Sequence, residues 1–145
     1  VTATMPTALA QHWCALSVLH ERIAGRIERR LQDEHGLSAR EFSLLTVLNR
    51  QSDGRHLQMR QVADAVALSQ SATTRLVGRL EDRGLLERTI CESDRRGIYT
   101  DVTESGAALL EAAGPTHDRA LQEALDEAED DGEFAPLVEA LRNIA

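Results

Sequence analysis

With 145 residues and a net charge of −8, the chain is long enough for one domain, or one head with a helical extension, whose core needs no staples. Its apolar runs fall far short of the roughly 20 residues that a membrane span requires. No basic-then-apolar leader opens it, and Cys14 and Cys91 lack the paired spacing of a disulfide framework or a zinc site. A cytoplasmic protein with no metal and no membrane association is therefore expected. The acidity is unevenly spread: residues 55–97 hold eight Arg against six acids, whereas residues 98–145 hold two Arg against twelve. Contact with phosphate depends on local sign, so the cationic middle keeps a nucleic-acid partner open despite the overall balance.

Residues 1–7 are small and polar around Pro6 and read as a frayed end. From Ala8 the apolar residues Leu9, Trp13, Leu16, Leu19 (or His20), Ile23, Ile27 and Leu31 recur at three- and four-residue steps. That period predicts a long helix with Arg22, Arg26, Arg29 and Arg30 on its wet side and a stop at Gly36. The helix is longer than a small core requires, which points to a partner copy. Ser38-Ala39-Arg40-Glu41 predicts a capping box opening a second helix, buried through Phe42, Leu44, Leu45, Val47 and Leu48. Gln51-Ser52-Asp53-Gly54 reads as the turn that ends it.

Leu57 leads into a short third helix with Met59, Val62, Ala63 and Val66 inward. Ala67-Leu68 turns the chain and Ser69 caps a fourth helix. There Ala72, Leu76, Val77 and Leu80 form the expected inward stripe. Gln70, Ser71, Thr73, Thr74, Arg75, Gly78 and Arg79 fall on or beside the outward face, and Gly84 closes the helix. Residues 85–91 and 98–102 alternate as two strands around a charged tip at 92–97. Thr103-Glu104-Ser105 then starts a helix rich in Ala and Leu that Gly114-Pro115 should kink or break, with Leu121, Leu125 and Ala128 resuming its stripe. After an acidic turn at 129–132, a last helix carries Phe134, Leu137, Val138, Leu141 and Ile144 inward.

A helix that offers Gln, Ser, two Thr and Arg near its N-terminus suits a major groove, where such groups bond base edges and threonine methyls meet thymine methyls. The same small polar residues also populate any solvated helix face. The hairpin tip adds weight to the first reading. Two adjacent arginines there, Arg95 and Arg96, can enter a minor groove, with Asp94 preorganising Arg96; the bland alternative is a solvated turn.

From Ser38 to Gly106 the chain resembles the MarR family of bacterial regulators. The resemblance rests on SQSATTRLVGRLEDRGLLER for the recognition helix and first strand, on the DRR of the wing, and on VTESG, where the family has its Leu-Thr-x-x-Gly opening. It implies a mainly α fold with a small β-wing: a winged helix-turn-helix head at 38–103 between dimerisation helices at 1–37 and 104–145. It further implies a homodimeric transcription regulator, more often a repressor, binding a pseudo-palindromic double-stranded DNA operator. By the family pattern Gln70, Ser71, Thr73, Thr74 and Arg75 fall where base and phosphate contacts are made. Ser69 and Arg79 join them as candidates at the cap and further along the same helix. Arg96 falls on the residue that enters the minor groove, with Asp94 orienting it and Arg95 beside it. Ile98 departs from the pattern, because a basic residue is frequent there.

Family members often bind a small aromatic or phenolic effector between the head and the dimerisation helices. Trp13 could line such a pocket or pack in a core or interface. Cys14 lies near the reactive cysteine of the family's peroxide-sensing branch, but Tyr99 is the only tyrosine and lies in the wing, so the hydroxyls that support that thiolate are missing. A small buried helix residue is the other identity of Cys14. His12, His20, His35, His56 and His117 do not cluster, so no metal site or cofactor is assigned. No Gly-rich phosphate loop, nucleophile elbow or His-Glu-x-x-His run is present, and an enzyme is not expected. The rivals that remain are a redox regulator using Cys14, a winged-helix protein-interaction module without DNA, and a thiol enzyme.

Overall fold

Short polar side chains set the helix boundaries. Thr7 Oγ1 accepts the Ala10 N–H at 3.1 Å, and Gly36 ends the first helix in the left-handed region (φ 61°) that glycine adopts without strain. The structure is a computed structural model that describes residues 3–51, 57–90 and 98–144. Among these the chain order is α1 (Ala8–His35), α2 (Ala39–Asn49), α3 (Met59–Ala65), α4 (Gln70–Asp82), β1 (Leu86–Ile90), β2 (Ile98–Val102), α5 (Glu104–Glu129) and α6 (Ala135–Asn143). The two strands pair antiparallel with Leu86 opposite Val102 and Ile90 opposite Ile98. The fold is a winged helix-turn-helix with flanking helices.

Ser38 and Glu41 form the predicted capping box: the serine hydroxyl accepts the Glu41 N–H at 3.0 Å and the glutamate accepts the Ser38 N–H at 2.9 Å. Glu28 of α1 accepts the Ala39 N–H at 2.7 Å. A donor left open by the start of α2 is thus used to dock that helix on α1.

Two apolar clusters follow. The larger joins Ile27 and Leu31 of α1, Leu44, Leu45 and Leu48 of α2, Val62, Leu76, Val77 and Leu80 of α3 and α4, and Ala113 and Ala120 of α5. The smaller, towards the other end of α1, joins Ala15 and Leu19 to Leu125, Ala128, Phe134 and Val138. Buried alanines at 113, 120, 124 and 128 let α5 approach α1 closely along both. Ion pairs from Arg26 to Glu127 and from Arg30 to Glu123 (2.7 Å) run along the seam, and the Arg22 guanidinium lies 4.9 Å above the Phe134 ring.

Three expectations are corrected. α5 runs unbroken through Pro115; Pro115 and Glu111 are both exposed, so the carbonyl that loses its donor can bond water. The α1 stripe is buried only at Ala15 and then from Leu19 onward: Leu9 (79%), Trp13 (67%) and Leu16 (42%) are exposed, as are Leu141 (47%) and Ile144 (74%) of the last helix. The period continues past the point where α5 and α6 cover it. Cys14 is likewise exposed, because Ala15 and not Cys14 faces Phe134 and Val138. No helix among the described residues is long and apolar enough to cross a membrane.

Candidate nucleic-acid interface

The outward helix of the head is fixed from its cap inward. Ser69 Oγ accepts the Ala72 N–H at 3.1 Å, and Leu76, Val77 and Leu80 anchor the helix in the core. Its 13 residues make a rod about 20 Å long, of a width that a major groove admits. Ser69, Gln70, Ser71, Thr74, Arg75 and Arg79 are all exposed. Thr74 Oγ1 donates to the Gln70 carbonyl at 2.9 Å, which fixes the rotamer and leaves the methyl and the oxygen lone pairs outward. Among the described residues neither Arg75 nor Arg79 has an ion pair, whereas Arg83 is held by Glu41 at 3.0 Å and Arg88 by Glu81 at 2.9 Å.

Thr73 is a correction. It is fully buried and its Oγ1 donates to the Ser69 carbonyl at 2.9 Å. The inward arc of α4 is 73, 76, 77 and 80, an i, i+3, i+4, i+7 set, so Thr73 takes the place expected of Ala72, which sits half-buried at the edge. Thr73 therefore shapes the helix and presents nothing to a groove.

Beside α4 runs a cleft of about 780 Å³ whose walls include Leu68, Ala72 and Leu76 together with Arg40, Arg75 and Arg79, faced by Glu28 and Asp82. The sequence pattern placed Arg40 only inside a capping box and gave no reason to group it with α4. The link is Glu41, whose second oxygen holds Arg83 and so ties the start of α2 to the end of α4.

The wing candidates Asp94, Arg95 and Arg96 lie outside the described residues, as does Cys91. The strands that carry them are well anchored. Thr89 Oγ1 donates to Asp101 at 2.7 Å across the pair. Gln51 reaches both sides of the head: its Nε2 donates to the Thr100 carbonyl at 3.0 Å and its Oε1 accepts the Leu57 N–H at 2.7 Å.

Where the wing runs into α5, Thr103 Oγ1 donates to the Gly84 carbonyl at 2.7 Å and accepts the Gly106 N–H at 3.0 Å. A Cβ on Gly106 would stand 2.2 Å from the Leu85 carbonyl oxygen, so the small residue of the VTESG run is required by a close backbone approach. Further contacts seat α5 on the end of α1 and on α2: His35 Nε2 of α1 lies 2.7 Å from Thr116 Oγ1, and Phe42 of α2 stacks on His117 at 4.6 Å.

Trp13 and Cys14 are not among the residues that wall the cavity at this end of α1. The nearby cavity of about 420 Å³ is walled by Gln11, His12, Ala15, Glu133, Pro136 and Leu137, among others, while Trp13 and Cys14 stand on the surface. Along the α1–α5 seam, the hydrogen bond to Glu127 and its charge raise the pKa of Arg26, and the same bond from Arg26 holds the Glu127 carboxyl below its ordinary value. No group of three or more His, Cys, Asp or Glu among the described residues could hold a metal ion.

Comparison with known proteins fits this geometry. A sequence model of the MarR family matches residues 35–97, from the end of α1 to the residue before β2. CouR from Rhodococcus jostii RHA1, solved bound to p-coumaroyl-CoA, is 30% identical with a TM-score of 0.67, over 88% of this chain and 84% of that one. The chain belongs to the MarR family. The MarR family regulator Sco3205 from Streptomyces coelicolor, solved in complex with DNA, is 27% identical with a TM-score of 0.74, over 97% of this chain and 88% of that one. The transcriptional regulator MhqR from Bacillus subtilis is 33% identical over 84 residues, 58% of this chain and 56% of MhqR, so the match spans little more than half of that regulator. The MarR sequence match takes in α2, α3, α4 and β1; the structural likeness extends to α1, α5 and α6.

Proposed function

We propose that this chain is a sequence-specific, DNA-binding transcription regulator of the cytoplasm, acting as a homodimer on a pseudo-palindromic operator. The observation that carries the reading is the outward face of α4, where Gln70, Ser71, Thr74 and Arg75 stand exposed behind the Ser69 cap with no acid neutralising Arg75 among the described residues. These groups bond base edges and phosphates in a major groove. For the adjacent minor groove the family pattern supports Arg96, with Asp94 orienting it and Arg95 beside it. Sco3205, solved with DNA, supports the partner.

Residues 38–103 form the reading head, and residues 1–37 and 104–145 hold two heads in register. The exposed Leu9, Trp13, Leu16, Leu141 and Ile144 meet a second copy, which also covers Cys14. A small-molecule effector modulates binding; CouR, solved with an aromatic acyl-CoA, supports this part. Half-sites lie about one helical turn apart, so a ligand that shifts the two heads by a few ångströms mismatches the grooves and releases the DNA, as a repressor requires.

The test is fluorescence anisotropy against DNA from upstream of the protein's own gene, with scrambled DNA as control, at several salt concentrations. Tight binding to the upstream duplex alone, weakening steeply with salt, is expected. Weak binding that is equal on both duplexes at every salt concentration contradicts the reading.

A further inference from the structure

Gln51 is a half-buried side chain at the end of α2 that touches both DNA-facing parts of the head. β2 pairs with β1 on one side, and among the described residues no strand pairs its outer edge. There the Thr100 carbonyl receives the Gln51 Nε2–H at 3.0 Å, across 49 positions of sequence. The other end of the same amide accepts the Leu57 N–H at 2.7 Å, immediately before α3. The two bonds fix which end of the amide is which, since a carbonyl only accepts and a backbone N–H only donates. α3 in turn sets α4, and β2 carries one side of the wing.

We propose that Gln51 is a positioning residue for DNA reading: one amide sets the distance between the wing and the α3–α4 pair, and so lets the minor-groove and major-groove readers engage together. The inference rests on the proposed DNA-binding reading. Its logic is geometric. The base of the hairpin is anchored at Thr103 and Gly84, whereas Gln51 ties β2 at Thr100, nearer the tip, and a contact displaced by about an ångström is largely lost. No aliphatic side chain at this position supplies both a donor and an acceptor, and asparagine carries the same amide on a stem one methylene shorter.

Hydroxyl-radical and dimethyl-sulfate footprints of the full chain on its operator test this, with affinity measured alongside. Gln51→Ala is expected to weaken binding on the order of tenfold. Minor-groove protection beside each half-site disappears while major-groove guanine protection remains. Gln51→Glu, nearly the same shape, keeps the acceptor for Leu57 and lacks the donor for Thr100. It is expected to lose the same minor-groove protection, with thermal unfolding close to wild type. Wild-type footprints in both variants, or an equal loss in both grooves, overturn the inference. A wild-type chain that protects no duplex is seen before any variant is made; it removes the DNA reading, and the inference falls with it.

Discussion

In the head, Leu44, Leu45, Val77 and Leu80 are enclosed, and what reaches the surface of α4 from Gln70 to Arg79 is hydroxyl, amide and guanidinium. At the far end of the α1–α6 stem the proportions reverse: Trp13, Leu9 and Ile144 remain in contact with water, although Phe134 and Val138 beneath them are closed off. Burying apolar area is worth about 25 cal/mol per Å², so an apolar face left open invites cover from another apolar surface. A finished polar face invites a polar partner. One chain thus carries two unlike interfaces, and the account assigns DNA to the first and a second copy to the other.

The sharpest way to break that contrast is at the stem. Trp13→Asp combined with Leu16→Asp is expected to weaken self-association at least about 100-fold, at 1.4 kcal/mol per factor of ten. Helix content should hold, because both side chains are exposed in the single chain. Sedimentation equilibrium and circular dichroism check the two halves of this statement; a dimer of wild-type strength would take the far end out of the interface. Next in size is the junction between the two regions. Gly106→Ala drives a methyl into the Leu85 carbonyl and should cost about 3 kcal/mol in urea unfolding. An unchanged midpoint would mean that α5 is not seated on the wing as described.

A paired substitution within α4 sharpens the head's side of the comparison. Arg75→Ala should reduce operator affinity about tenfold, within the 1–3 kcal/mol of a good base contact, and leave the unfolding midpoint alone. Thr73→Val should do the opposite, losing about 1 kcal/mol of stability with its buried hydrogen bond while binding is retained. Reversed outcomes would return Thr73 to the DNA face. The smallest effect concerns pH. Glu127 has a lowered folded pKa, chiefly through its hydrogen bond from Arg26, so its contribution is present above the ordinary carboxylate value and lost as pH falls through the lowered one. Wild type and Glu127→Gln should therefore differ slightly at neutral pH and converge in acid, as thermal melts across that range would show.

Most of the fold was legible because it is local. Ser38 with Glu41, Ser69 and Gly36 mark helix ends by short-range hydrogen bonds or by backbone conformation that the residue type alone dictates. The apolar period located α1 through α4, and the VTESG run located the start of α5. What was missed depends on neighbours distant in sequence. Thr73 and Ala72 are adjacent on the rim of the apolar arc, and only the packing of α3 and α2 decides which turns in. Leu9 and Trp13 continue the same period as Leu19, yet no element among the described residues covers them. Pro115 breaks helices by propensity, but on an exposed face its cost is small enough for the packing of α5 on α1 to override. Gln51 carried no signal beyond a turn, since both of its bonds span a gap that only the folded head closes.

The central claim is that one chain presents one reading head and that two heads are needed for one operator. Sedimentation velocity of the protein titrated onto the upstream duplex measures this directly. The account predicts a single complex of one duplex and two chains that forms without a stable one-chain intermediate. A complex of one duplex with one chain, persisting at excess DNA, would contradict it.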